Sequence, residues 1–468
     1  MSLTERLRSV VRPAGGSAAL DHARSYVRGP GSTDGHSSSS VDPVRADAVA
    51  DVLDGEWRES SGQRYLVIER AYPPGHRHGH TAVADGVPEH DGCWPALAVL
   101  EPAIARTRVL FIDLETTGLA GGAGTYAFLV GCAWFDGATF RVRQFLLARF
   151  GAERGLLEDV ADTASGAGAL ATYNGKTFDL PLIDTRFLLH RMTTPFTGMP
   201  HVDLLHAARR LWRPAETGGS ASWDSRWGRT PDVETAGCDS NPVKMQRSPC
   251  CLTAVEQSVL GHVREHDVPG HEVPSRYFHY VRSGDPRPLV AVLEHNRLDL
   301  LSLALLTART ARLLGEGVDA ARTASEALGL GHLYQRGSLL AEARACFARA
   351  SAMRPADPCT TAEALRAYAV LSRRARQHDE AVRAWQRILE LRVGQPRLMQ
   401  EASEALAVHH EHREEDLHLA RDFARQSLQF TTSASRVRLV RHRLTRLDRK
   451  LGGAQPGRRA GQEAVPLF

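Results

Sequence analysis

The chain has almost no lysine. Lys176, Lys244 and Lys450 are the three in 468 residues, so arginine supplies 55 of the 58 basic side chains. Arginine's planar fork suits phosphate, but an alanine- and arginine-biased composition gives the same excess, so the bias carries little weight. Cysteine is sparse and scattered. Cys93, Cys132, Cys238, Cys250, Cys251, Cys346 and Cys359 are odd in number and contain no Cys-x-x-Cys spacing, which argues against a zinc site or a disulfide framework. No run of about 18 apolar residues is present, so no segment is expected to span a membrane. The opening residues Met1-Ser2-Leu3-Thr4-Glu5-Arg6 lack the apolar stretch of a secretion signal. These absences lead to an expected cytoplasmic location. An excess of one charge is missing too: the balance is +4, too small to make the whole protein a polycation.

What is present is ordinary globular material, 43% hydrophobic and 24% charged, and long enough for two to four domains. Residues 1–60 are rich in Gly, Ser, Asp and Arg and read as a mostly disordered tail, with one short helix near Val44–Leu53. A strand pattern starts at Arg64–Arg70, followed by His76-x-His78-x-His80. That spacing invites a metal reading. Without carboxylate or cysteine company, an ordered surface loop is the favoured reading. Strands are predicted at Val109–Leu114, Tyr126–Phe135 and Phe140–Leu147, forming an antiparallel meander. A helix over Glu153–Ala164, a short buried strand over Ala169–Tyr173 and a helix over Thr177–His190 follow. A further helix is predicted over Asp203–Trp212, with Asp203 as its N-cap. Residues 214–249 carry no apolar period and read as a disordered insertion. Helices resume at Cys251 and run to Leu314. The domain over 61–316 is therefore expected to be α/β, a mixed sheet flanked by helices.

Beyond Gly317 the pattern is wholly helical. Gly331, Tyr334, Ala343, Phe347, Ala350 and Pro355 fit the spacing of a tetratricopeptide repeat. Looser units follow with Tyr368, Ala369, Ala381 and Trp385, then Ala407, Ala420 and Ala424. An all-α repeat domain over 320–451 is expected, with a flexible tail over 452–468.

Three stretches carry chemistry. In Val109-Leu110-Phe111-Ile112-Asp113-Leu114-Glu115-Thr116-Thr117-Gly118, Asp113 and Glu115 are spaced i, i+2 on a strand and point the same way. Two neighbouring acids on an apolar strand need compensation, and a divalent cation is the usual candidate. In Asn174-Gly175-Lys176-Thr177-Phe178-Asp179, a turn brings Asp179 to a helix start, where the helix dipole alone would also favour an acid. In His295-Asn296-Arg297-Leu298-Asp299, the i, i+4 spacing puts His295 and Asp299 on one helical face, with Leu300, Leu303 and Leu306 marking the core side. Together they offer four carboxylates and one group for proton transfer. Such a set suits two Mg²⁺ or Mn²⁺ ions about 3.5–4 Å apart acting on a phosphodiester, with histidine suited to taking a proton from water.

These motifs resemble those of the DEDD superfamily of 3′–5′ exonucleases on the ribonuclease-H-like fold, and more closely a YprB-like ribonuclease-H-like subfamily. The likeness runs over about Arg64–Leu314. It includes Thr125–Gly131, Tyr173–Leu182, Asp203–Leu205 with Arg209–Trp212, Asp267-Val268-Pro269-Gly270 and His295-Asn296-Arg297. It implies that Asp113, Glu115, Asp179 and Asp299 are the metal-binding acids and that His295 serves the attacking water. Thr116, Asn174 and Phe178 would contact the terminal nucleotide. The final motif departs from the superfamily pattern. Its His-type members place histidine five residues before the last aspartate and its Tyr-type members place tyrosine four before it; here His295 stands four before Asp299. His295 as general base and His295 as orienter of water both stay open. Lys176 and Arg186 are candidate phosphate contacts, and Arg209, Arg210 and Arg213 a candidate nucleic-acid track. The expected partner is nucleic acid, a single-stranded 3′ end above all, with a possible protein partner on the repeats. The alternatives are a nucleic-acid or protein scaffold with a vestigial nuclease domain, and a structure-specific endonuclease of the same fold.

Overall fold

The computed structural model describes residues 43–60, 62–89, 92–104, 106–118, 124–212, 250–392, 396–431 and 433–453. The insertion expected at 214–249, most of the N-terminal tail, Arg213 and the last fifteen positions lie outside these residues. The chain divides into two compact units, Met1–His206 with Cys251–Ala311, and Ala207–Cys250 with Arg312–Phe468.

The first unit is built on a seven-stranded sheet. Its strands are β1 (Glu56–Ser60), β2 (Gln63–Tyr72), β5 (Val109–Thr116), β6 (Ala127–Asp136), β7 (Thr139–Leu146), β8 (Ala169–Thr172) and β9 (His201–Asp203). Their order is β1-β2-β7-β6-β5-β8-β9. The pairings from β1 to β5 are antiparallel, and β5–β8 and β8–β9 are parallel. The sheet is mixed, as the sequence pattern predicts. Two strands escaped the pattern. β1, Glu-Trp-Arg-Glu-Ser, has no alternation to read and lies inside the expected tail; its order comes from pairing with β2. β9 is three residues long, too short to show a period, and Asp203 ends it directly before a helix.

Both faces of the sheet are covered. On one face α1 (Pro43–Leu53), α2 (Glu153–Ala164), α3 (Asp179–Leu189) and α6 (Val273–Ser283) share a core with Leu110, Ile112, Phe128, Val130 and Phe145. Phe128 stacks on Tyr277 with ring centroids 4.1 Å apart, and the Tyr277 hydroxyl donates to the Leu147 carbonyl at 2.8 Å, so the aromatic payload and its polar handle are both satisfied. Arg186 of α3 grips Glu153 of α2 through Nε at 2.6 Å and a second guanidinium nitrogen at 2.5 Å. Its guanidinium also lies 4.1 Å from the Tyr126 ring centroid.

The other face carries the alternate residues of β5. Phe111 meets Trp94 and Phe140 edge-on at 5.8 and 6.0 Å. The thirty-residue helix α7 (Arg287–Glu316) starts in the first core with Leu289, Val292 and Leu293 and meets this face at Asn296 and Leu300. It approaches β6 closely at Gly131, where a Cβ would sit 2.3 Å from Asn296 Oδ1 and 2.8 Å from Leu300 Cδ1. Only glycine fits at that crossing. Two short strands, β3 (Arg77–His78) and β4 (Thr81–Ala82), form a separate hairpin. Its His80 N–H donates to the Leu260 carbonyl at 2.6 Å. Leu260 ends a π-helical turn, Glu256–Leu260, that continues the short helix α5 (Leu252–Val255).

The second unit is helical. It includes α8 (Ala324–Arg336), α9 (Leu340–Ala352), α10 (Pro358–Arg374), α11 (His378–Leu391), α12 (Pro396–His412), α13 (Leu417–Gln429) and α14 (Ala434–Gly453). Thr323 caps α8 by accepting the Glu326 N–H at 3.1 Å. Asp357 caps α10 in the same way at 2.9 Å. The small residues read from the sequence make the close contacts. Ala343, Ala350, Ala381, Ala407, Ala420 and Ala424 are buried, and a Cβ on Gly331 would come within 2.5 Å of the Phe347 ring.

Candidate active site

β5 and β8 run parallel, with Phe111 opposite Ala171. Their carboxyl ends therefore open on the same edge of the sheet, the edge where ligands sit in open α/β folds. Asp113 and Glu115 lie at the carboxyl half of β5, half-buried, and the strand is irregular just past them, between Glu115 and Thr116. β8 ends at Thr172 and hands over to a turn with Asn174 in the left-handed region (φ 69°). That turn delivers Asp179 as the first residue of α3.

Asp203 holds the turn. Its carboxylate accepts the backbone N–H groups of Asn174 at 2.7 Å, Lys176 at 3.1 Å and Leu205 at 3.2 Å. It does act at the start of a helix, α4 (Leu204–Leu211), but two of its three bonds reach back across the sheet. The expected N-cap is met through Leu205, and Asp203 is in addition the anchor of the loop that carries Asn174, Phe178 and Asp179.

The third element is α7. Asn296 is fully buried and its amide donates to the Asp113 carboxylate at 2.8 Å and to the Asp113 carbonyl at 3.2 Å. The Asn296 amide oxygen accepts from Gln144 Nε2 at 2.8 Å, and the same nitrogen donates to the Leu293 carbonyl at 2.9 Å. His295 and Asp299 stand one turn apart on the same helix. His295 Nε2 lies 3.6 Å from Asp299 and 3.9 Å from Glu115. Its Nδ1 is 2.6 Å from Asp267 Oδ1, and since a carboxylate only accepts, Nδ1 carries the proton of that bond. The edge so assembled contains every carboxylate and the histidine named from sequence.

The electrostatics agree. Asp113 is held well above the usual carboxylate range by burial first, then by the charges of Asp299, Glu115 and Asp179. Glu115 is raised by burial, Asp299 and Asp179. Asp179 is pushed up to about 7 by burial, Asp203 and Asp299. Asp113, Glu115 and Asp179 are thus each raised by burial and by a neighbouring carboxylate, the signature of like charges crowded into one recess. Burial pulls His295 down, but the hydrogen bond to Asp267 and the charge of Asp299 outweigh it, and His295 is raised. Oxygen-only donors with surplus negative charge fit a hard divalent cation.

Other residues named from sequence divide. Thr116 spends its hydroxyl on the Gly118 carbonyl at 2.9 Å, bracing the strand end. Phe178 is 58% exposed beside Asp179. Lys176 is exposed, but Arg186 is 3% exposed and locked to Glu153, which removes it as a phosphate contact. Burial, with Arg336 and Arg209 nearby, lowers Arg210 to about 10, so it is not a free surface cation. The triple-histidine stretch is only partly at the surface: His80 is exposed and His76 half-buried, but His78 is 1% exposed. His78, Glu256 and His262 bring their ligand atoms within 4.8 Å of one another. The two rings, however, stack at 3.9 Å and 22°, and stacked rings cannot both aim in-plane lone pairs at one ion. Arg264 Nε also occupies Glu256 Oε2 at 2.8 Å. Sequence reasoning assigned no role to Asp267, Asn296, Gln144 or Arg264. Asp267 and Asn296 did lie in quoted blocks, but nothing in a single sequence shows which neighbour of a motif turns inward.

The sequence model of the family described as RNase_H superfamily matches residues 110–220 and 236–311. The sheet domain is ribonuclease-H-like. Both matched stretches take in the site: Asp113, Glu115 and Asp179 in the first, His295 and Asp299 in the second. The chain is also 34% identical over 246 residues to the uncharacterized protein YprB of Bacillus subtilis (strain 168), an alignment covering 52% of each chain. The chain thus spans about half the length of the curated relative it matches. The ribonuclease-H-like fold is a nuclease fold, one that usually works with divalent metal ions. Among the described residues no helix is long and apolar enough to cross a membrane.

Proposed function

We propose that this protein is a metal-dependent 3′–5′ exonuclease of the DEDD type, hydrolysing phosphodiester bonds of DNA or RNA. The observation that carries the reading is the recess in which Asp113, Glu115 and Asp179 are crowded with Asp299 beside His295, which lies 3.6 Å from Asp299 and 3.9 Å from Glu115. Asp113, Glu115, Asp179 and Asp299 would hold two Mg²⁺ or Mn²⁺ ions, which supply Lewis-acid stabilisation of charge developing on the phosphoryl group. The protein's own groups do the rest. Asn296 fixes the Asp113 carboxylate, and Asp203 fixes the turn that presents Asp179.

His295 is oriented by Asp267, so that Nε2 faces the acids. That favours proton transfer at Nε2 over a purely steric role, and it answers for the unusual four-residue spacing: one helical turn suffices to aim the ring into the recess. Phe178, exposed at the rim, offers a stacking face to a terminal base, and stacking is indifferent to sequence. Thr116 and Asn174 shape the floor through their backbone positions. The helical unit, read as tetratricopeptide-like repeats, would serve a protein partner. Digestion of oligonucleotides labelled at the 3′ or the 5′ end, with Mn²⁺ or with a chelator, tests the reading. Stepwise shortening from the 3′ end supports it; internal products point to an endonuclease, and no metal-dependent cleavage to a scaffold.

A further inference from the structure

The triple-histidine hairpin and the π-helical turn are left without a role by the reading above, and they are joined to the site through one residue. Arg264 is 4% exposed by its side chain. One guanidinium nitrogen is 2.5 Å from Asp299 Oδ1, Nε is 2.8 Å from Glu256 Oε2, and the remaining nitrogen is 3.7 Å from Asp267 Oδ2. Arg264 thus touches both the acid that shares the recess and the acid that aims His295. Behind it, Glu256 is fully buried. Its Oε1 accepts from His78 Nε2 at 2.9 Å and from the Ser302 hydroxyl at 2.8 Å.

The segment bearing Glu256 and Arg264 is itself clamped. His80 N–H bonds to Leu260 O. At Gly79 a Cβ would fall 2.2 Å from that same carbonyl, and at Gly261 a Cβ would fall 2.1 Å from the His80 ring. Gly79 and Gly261 also have positive φ, 64° and 69°. The hairpin and the turn therefore meet backbone to backbone at a distance only glycine permits. A π-helical turn is rare and is found often at functional sites. Here it sits between Glu256 and the Gly261–Arg264 run.

We propose that Arg264 is a positioning residue of the site: backed by Glu256 and the His78 hairpin, it fixes Asp299 through Oδ1 so that Oδ2 is presented to the metal recess. The inference rests on the metal-dependent reading. Arg264 is too enclosed to meet substrate, so its influence passes through Asp299 and, by way of Asp267, through His295. The bidentate bridge between Asp299 and Glu256 needs a planar fork, which lysine lacks. Groups behind metal ligands of this kind change metal affinity or activity by about 10–100-fold when removed.

The test is calorimetric titration of Mn²⁺ into the full-length protein without nucleic acid, for wild type, Arg264→Met, Arg264→Lys and Glu256→Gln. Circular dichroism confirms folding, and oligonucleotide digestion runs in parallel. The expected result is Mn²⁺ affinity weakened about 10–100-fold in Arg264→Met, with Arg264→Lys and Glu256→Gln weakened less. In digestion, kcat should fall while KM for the oligonucleotide holds. If Arg264→Met does not fold, Glu256→Gln and Arg264→Lys decide. Unchanged or tighter Mn²⁺ binding overturns the proposal, because a mere counter-charge would repel the ion, and so does a change confined to KM. A wild type that binds Mn²⁺ yet digests no nucleic acid sinks the exonuclease reading alone, and the titration still judges Arg264. A wild type that binds no Mn²⁺ overturns both.

Discussion

His295 Nδ1 lies 2.6 Å from Asp267 Oδ1, twenty-eight residues away along the chain. This pairing fixes which ring nitrogen is free, and the free one faces Asp299 and Glu115. Asp267→Ala should therefore release the ring without touching any acid of the recess. We expect kcat for oligonucleotide digestion to fall about 10–100-fold, with KM nearly constant. Steady-state kinetics on a defined single strand check it. An unchanged kcat would mean that the ring's aim does not matter.

Gly131 is the point where β6 yields to α7. A Cβ there meets Asn296 Oδ1 at 2.3 Å, and Asn296 is the donor to Asp113. Gly131→Ala should push Asn296 off Asp113 and cost about 1–3 kcal/mol of stability from overpacking. Activity should drop more than the loss of folded protein explains. Thermal unfolding and specific activity, measured on the same preparation, separate the two effects.

Phe178 is a large apolar side chain left in solvent beside a buried acid. If it stacks a terminal base, Phe178→Ala should weaken substrate binding by about 1–3 kcal/mol, roughly 5- to 150-fold in KM. Phe178→Trp should keep it. Equal KM values for all three proteins would remove Phe178 from the substrate path.

His332, in the helical unit, packs edge-on against Phe347 at 5.0 Å. Burial, aided by the charge of Arg210, lowers its pKa to about 4. The unfolded side chain takes a proton near 6.5, whereas the folded one resists until about 4. Its contribution to stability is therefore complete above pH 6.5 and is lost as pH falls from about 6.5 towards 4. His332→Gln should flatten that part of the stability profile. Urea unfolding midpoints at pH 7.5, 6 and 4.5 measure it.

Much of the sheet domain was legible because its strands are long. β5, β6 and β7 show apolar runs with a turn between them, and α2 begins and ends where its periodicity does. The order of three strands, helix, strand and helices was enough to require a mixed sheet. β1 and β9 were not legible: one has no alternation and the other no length, and both exist through their partners. The same division runs through the site. Asp113, Glu115, Asp179, His295 and Asp299 stand in local patterns that chemistry explains. Asp203, Asp267, Asn296 and Arg264 act across the fold, through bonds to Lys176, His295, Asp113 and Asp299 that join residues 27 to 183 positions apart. His78 shows the reverse error. Its spacing suggested a metal loop or a surface loop, whereas the residue is buried against Glu256.

The central claim is that the acid recess is the hydrolytic centre and works from the 3′ end. The direct measurement is time-resolved digestion of a 5′-labelled single-stranded oligonucleotide with Mn²⁺, by wild type and by Asp113→Asn. Asp113→Asn keeps the side-chain shape and removes one of the four charges. The account predicts a descending ladder of products one nucleotide apart for wild type, abolished by a chelator and reduced at least about a thousandfold in Asp113→Asn. Metal-independent cleavage, or a ladder that persists at the wild-type rate in Asp113→Asn, would contradict it.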